Sequence, residues 1–176
     1  MPRIAIPGAD EHAPYYSKYV SQLPAGADVL DLLRTQAVVT ARLLAATDES
    51  LGGVRYADGK WSVKEVVGHL SDGERVFAYR ALRFGRTDTT ELPGFDENVY
   101  VPAGKFDRRT LADVAAEFAA VRVASLALFD SFDDEALLRR GTANAQPVSV
   151  RALAAIIAGH EVHHVALLRE RYGLKG

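Results

Sequence analysis

The side chains best suited to chemistry lie near the end of the chain, in the run Gly159-His160-Glu161-Val162-His163-His164. Three of the five histidines fall between positions 160 and 164. An α-helix turns by about 100° per residue, so a buried stripe marked by Leu153, Ile156, Ile157, Leu167 and Leu168 puts His160 and His164 near its centre. His163 falls on the flank of that stripe and Val162 roughly opposite it. Two imidazoles one turn apart on a core-facing surface are placed to bind one cation, because an unpaired polar group there would be costly. The alternative is that each is a neutral core histidine hydrogen-bonded to a neighbour. Glu161, at the stripe's edge, would either accept the second N–H of a ligating imidazole or form a surface salt bridge with arginine.

The same residues satisfy His-Glu-x-x-His, the zinc-protease pattern in which the glutamate is the general base. That chemistry also needs a third ligand downstream. Only twelve residues follow His164, and Glu170 is the single carboxylate among them, so the protease reading is set aside. A third histidine is available elsewhere. Lys60-Trp61-Ser62-Val63-Lys64-Glu65 carries a capping box, Ser62 with Glu65, and Trp61 is placed to staple onto the first turn. His69 lies on the apolar face two turns into that helix, with Gly73 one turn on leaving room beside the ring. Three imidazoles with no fourth protein ligand leave positions open to water or substrate, as in catalytic rather than structural sites. Zinc and nickel fit, as do iron(II), cobalt and manganese, since nitrogen donors do not select among them.

Four amphipathic segments must position these groups. Apolar residues recur at helical spacing over residues 28–47, from the capping box to residue 84, over residues 110–129 and over residues 149–171. Ser149 caps the last of these and Gly173 stops it. Thr110 with Asp113 caps the third, and residues 133–138 add a short turn of helix. Residues 1–24, rich in proline and carrying Tyr15, Tyr16 and Tyr19, read as an irregular arm that packs its tyrosines on the domain or on a partner subunit. Residues 25–176 read as one domain, an all-α four-helix bundle with a long crossover between helices two and three, residues 85–107. Residues 141–147 read as loop, and no strand-like alternation of convincing length is present. Loops as long as the crossover are usually functional or mobile.

Composition narrows the function classes. The 176 residues carry a net charge of −2, with 48% hydrophobic and 25% charged residues, as a globular domain does. There is no basic footprint for nucleic acid. Without cysteine the chain can form no disulfide, thiolate metal site or cysteine nucleophile. No apolar run follows the N-terminal charge and none is long enough to cross a bilayer, so a cytoplasmic protein with a small-molecule substrate is expected.

The segments Lys60-Trp61-Ser62-Val63-Lys64-Glu65-Val66-Val67-Gly68-His69-Leu70, Gly94-Phe95-Asp96-Glu97-Asn98 and His160-Glu161-Val162-His163-His164 together resemble the DinB/YfiT-like superfamily of metal-binding bundles. The resemblance spans residues 28–172. It implies an up-down-down-up bundle, often a homodimer, that binds a divalent metal ion through His69, His160 and His164. Relatives of this kind include thiol-dependent transferases and isomerases, metal-dependent hydrolases and damage-inducible proteins. The resemblance therefore implies a metal-dependent enzyme activating a low-molecular-weight thiol, a hydrolase activating water, or a non-catalytic metal-binding stress protein. A thiol would have to come from a cosubstrate. Asp96, on the crossover, is the candidate base or orienter, unless it only forms a turn. His163 is a flank or outer partner of the ligands. Arg55 and Tyr56 hold an anionic substrate or shape their loop.

Overall fold

The computed structural model describes residues 3 to 175; Met1, Pro2 and Gly176, at the ends of the expected arm and bundle domain, lie outside the described residues. Before the bundle, two turns of 3₁₀ helix lead into a short helix α1 (Ser17–Val20). Ile4, Val20 and Leu23 are buried, and Ile4 accepts a backbone hydrogen bond from Val29 at 2.8 Å.

Four long helices follow, each started by a side chain that satisfies amide groups the helix cannot. Asp28 caps α2 (Val29–Ala45) by accepting from the Leu30 amide at 2.9 Å. Ser62 and Glu65 close the expected reciprocal box at the start of α3 (Val63–Gly85). A short helix α4 (Glu97–Gly104) lies in the crossover. Thr110 caps α5 (Leu111–Asp130), and Asp133 caps α6 (Asp134–Leu138). Ser149 caps α7 (Val150–Tyr172), and Gly173 ends it in the left-handed region at φ 71°. In cross-section α3 packs between α5 and α7, and α2 closes the ring against the same two helices.

Two expectations need correction. Residues 141–147 are not loop: Arg140–Ala143 (β1) and Gln146–Ser149 (β2) pair antiparallel around Asn144 and Ala145. Those two residues take φ of 53° and 57°, as a two-residue hairpin turn requires. The crossover is not without structure either. It contains α4 despite Pro102, and Leu92 exchanges backbone hydrogen bonds of 2.9 Å with Thr142 and Asn144 of the hairpin. The hairpin therefore pins the crossover across one end of the bundle.

The interior is apolar at both ends and polar at mid-height. One cluster contains Leu30, Leu33, Phe84, Phe129, Leu153 and Ile156; the other contains Leu43, Val66, Leu111, Phe118 and Leu168. Between them along the helices lie the buried residues Thr40, His69, Glu74, Arg122, Ser125, His160, Glu161 and His164.

Gly159 lets α1 touch this layer: a β-carbon there would fall on the Tyr19 backbone carbonyl. Gly159→Ala must push α1 off α7 and should cost about 1–3 kcal/mol in urea unfolding. Gly53→Ala, where a β-carbon meets nothing, should leave stability unchanged or slightly raised.

Candidate metal centre

α3 and α7 deliver three imidazoles to one place. His69, His160 and His164 are 6%, 6% and 7% exposed, and each offers a ring nitrogen within 4.8 Å of the other two. The His69 and His160 Nε2 atoms are 2.9 Å apart, one donating and the other accepting when both rings are neutral. Gly73 makes the approach possible: a β-carbon there would sit 3.2 Å from His160 Cε1, so the ring occupies the room that the glycine leaves. His163 is exposed on the flank, its ring centroid 5.5 Å from that of Tyr19.

The electrostatics keep all three rings neutral. Burial lowers His69 from 6.5 to about 4, against the opposing charge of Glu97. Burial, then the neighbouring His69, His163 and Lys18, lowers His164 to about 2. His160 lies well below its ordinary value through burial and then the charges of His164, His69, His163 and Lys18. All three are therefore neutral at neutral pH, each with one ring nitrogen unprotonated. His164 Nδ1 is buried with no hydrogen-bond partner, an orphan that a core histidine would normally avoid. The donor set and this orphan fit a divalent ion bound through nitrogen.

Behind the imidazoles stands a second buried group that sequence reasoning missed. Arg122 donates from Nε and Nη2 to the two carboxylate oxygens of Glu74, both at 2.8 Å, and from Nη2 to Glu161 Oε2 at 2.6 Å. Its Nη1 donates to the Leu33 carbonyl at 3.1 Å, and Thr40 Oγ1 donates to Glu161 Oε1 at 2.5 Å. Glu161 thus does pair with an arginine, but in the interior, where burial raises its carboxyl despite the Arg122 charge and the Thr40 hydrogen bond. Burial works against the charge on Arg122, yet the Glu74 hydrogen bond and the charges of Glu161 and Glu74 hold it raised.

In front of the imidazoles opens a cavity of about 690 Å³. His69 and His160 lie in its wall together with Tyr15, Tyr16, Tyr19, Phe77, Arg80, Phe95 and Glu97. The Trp61 ring covers His69 from another side, with centroids 4.8 Å apart. Asp96 is exposed and caps α4, accepting from the Asn98 amide at 2.8 Å. Its neighbour Glu97 is the carboxylate in the cavity wall. An aspartate followed by a helix start is a cap signature, and that signal could have redirected the choice. Arg55 is tied to Glu65 and Asp107 at 2.8 Å each, and the Tyr56 ring packs on Tyr172, so both shape their loop.

The unfolded chain protonates these imidazoles near 6.5, whereas the folded chain keeps His69 neutral down to about 4. The folded state binds fewer protons in that window, so stability is fully present above it and falls as pH drops through it. The raised Glu161 carboxyl works in the opposite sense, above its ordinary value of 4.5. Urea midpoints of metal-free protein should fall across the histidine window, and a flat profile would contradict neutral buried imidazoles. Arg122→Met strands two carboxylates and should cost about 3–5 kcal/mol in the same assay.

A model of the DinB superfamily matches residues 3–168. No curated protein matches the chain. Among solved structures, the chain is similar to YfiT from Bacillus subtilis, described as a probable metal-dependent hydrolase with an unusual four-helix bundle topology. The TM-score is 0.70 at 17% identity, covering 97% of this chain and 95% of that one. It is also similar to a mycothiol-dependent maleylpyruvate isomerase, with a TM-score of 0.64 at 15% identity over 83% of this chain and 61% of that one. A third likeness is to the DinB-like protein YjoA from Bacillus subtilis, with a TM-score of 0.58 at 19% identity over 81% of this chain and 87% of that one. These likenesses speak for the helical-bundle fold, and no helix among the described residues is long and apolar enough to cross a membrane. The match over nearly the whole length carries the assignment: this chain belongs to the DinB superfamily.

Proposed function

We propose that the protein is a metal-dependent enzyme that holds a divalent ion through His69, His160 and His164 and activates a small-molecule thiol for transfer to an electrophile. The observation that carries this reading is the buried trio of neutral imidazoles, two of which, His69 and His160, line a cavity of about 690 Å³. A divalent ion bound there supplies a lowered pKa to a thiol or water that reaches it. The residues do the rest. Trp61 and Tyr19 cover the donor rings and keep bulk water from them. Phe77, Phe95 and the tyrosines give a substrate an apolar wall. Glu97, whose charge reaches His69, is the carboxylate placed to take or return a proton at its oxygen, and Asp96 serves it by starting the helix that presents it.

Absence of cysteine from the chain means the thiol is a cosubstrate, and likeness to the mycothiol-dependent isomerase supports that choice. Activation of water for hydrolysis is the second reading, favoured by likeness to YfiT over 97% of the chain. We also read the chain direction as up-down-down-up, with the crossover joining parallel α3 and α5. Ser62 with Asp107 and Arg75 with Glu117 support parallel α3 and α5; Arg34 with Asp130 and Leu111 with Glu49 support antiparallel α2 and α5. Gln36 with Ala158 and Thr40 with Glu161 support parallel α2 and α7.

Elemental analysis of purified variants tests the ligand set. His69→Ala, His160→Ala and His164→Ala should each lose the metal, and His163→Ala should keep it; loss from His163→Ala equal to that from His164→Ala would refute the assignment. Loaded wild type should then consume 1-chloro-2,4-dinitrobenzene only when a small thiol is added. Turnover of esters or amides without thiol would instead select the water reading.

A further inference from the structure

The cavity wall contains a charge that no carboxylate among the described residues neutralises. Arg80, on α3, is only 3% exposed, yet among the described residues no carboxylate pairs with it. Its Nη2 donates to the Pro93 carbonyl at 2.8 Å, and the Tyr16 hydroxyl lies beside it. Otherwise it faces rings: its guanidinium carbon sits 5.7 Å from the Phe77 centroid and 6.0 Å from that of Phe95. The other deeply buried arginine, Arg122, has two carboxylates and a carbonyl for its N–H groups. Arg55, which sequence reasoning had offered to an anion, is already engaged by Glu65 and Asp107. Glu97 shares the cavity with Arg80 but forms no ion pair with it, and its charge is felt instead at His69.

Burying a guanidinium without a counter-charge is expensive, and the protein's own carboxylates do not offset it. An anion entering the cavity would, and a carboxylate matches the planar donor fork of arginine. We propose that Arg80 is the specificity residue of the cavity and that the substrate is a small carboxylic acid with a planar or apolar middle, its carboxylate on Arg80 and its reacting atom at the imidazole end. The proposal rests on the function proposed above for the reacting end only. Arg80 lies two turns beyond Gly73, which faces His160, so the helix separates the two ends by about 10 Å before the side chain reaches back. That spacing, with Phe77, Phe95 and Tyr16 between, suits an aryl or short-chain acid whose carboxylate is a few bonds from the atom that reacts.

The test compares 3-phenylpropanoate with its neutral amide, 3-phenylpropanamide, by titration calorimetry on metal-loaded and metal-free protein. The acid should bind at least tenfold tighter than the amide in both states, because the preference comes from Arg80 and not from the ion. In Arg80→Met the acid should lose at least tenfold and the amide should bind as before. The unliganded variant should keep its Tm or gain, since an uncompensated charge has been removed. If Arg80 serves only to hold the Pro93 loop, the variant loses Tm and the acid-to-amide ratio of wild type is near one, which overturns the proposal. So does a preference that survives in Arg80→Met, or binding of neither compound. Should Arg80→Met not fold, the ratio in metal-free wild type decides alone. A protein that takes up no metal yet still prefers the acid would refute the metal reading and leave Arg80 standing.

Discussion

The constraint on which the structure depends is a buried charge: the Arg122 guanidinium, held at mid-height between two apolar clusters by Glu74 and Glu161. All four long helices contribute to it, α2 through Thr40 and the Leu33 carbonyl, α3 through Glu74, α5 through Arg122 and α7 through Glu161. Apolar contacts tolerate a slipped register far better than this group does. Moving one helix by a turn, about 5.4 Å, would leave buried charges without partners, and that penalty exceeds what the contacts of a single leucine return. The register of the four helices is thereby specified.

The imidazoles inherit that register. Glu161 sits between His160 and His164 on α7, and Glu74 follows Gly73, the residue against which His160 packs. Aligning the two glutamates on Arg122 therefore aligns the histidines on the adjoining face of the same turns. One face of α7 is occupied by the buried ion network, and the adjoining face holds the imidazole nitrogens.

This explains which features were legible in the sequence. The long helices were readable because caps and periodicity are local: Asp28, Ser62, Thr110 and Ser149 each act within three residues of themselves. The i, i+4 phase placing His160 and His164 inward and His163 outward is local too. Glu161 was misjudged because its partner lies 39 residues away on another helix, with no signal nearby. The hairpin escaped because its strands are four residues long and contain Gly141 and Pro147, and because its turn is Asn144-Ala145 rather than a glycine pair. In α4, Pro102 argued against a helix that tertiary contacts nevertheless hold. Arg80 resembled any arginine on an amphipathic helix; only the missing counter-charge sets it apart, and that needs three dimensions.

The tyrosines of the arm and the segment Gly94-Phe95-Asp96-Glu97-Asn98 stood out in the sequence; what escaped is that they meet the hairpin turn in the front wall of one cavity. The imidazoles stand on the long helices, whereas the facing wall of the cavity comes from the arm, the crossover and the hairpin turn, at Tyr15, Tyr16, Phe95, Glu97 and Asn144. Loops carried on a rigid scaffold are where binding specificity is commonly placed. A bundle with the same histidines and another wall would present the same ion to a different molecule, so fold likeness to a hydrolase and to an isomerase need not conflict. In this chain one aromatic cavity is lined by Arg80, which has no carboxylate partner among the described residues, and by Glu97 and two of the imidazoles. If Arg80 reads a carboxylate as proposed, that polarity would orient the substrate before any bond is made, and it would depend on the hairpin that ties Leu92, next to Pro93, to the bundle.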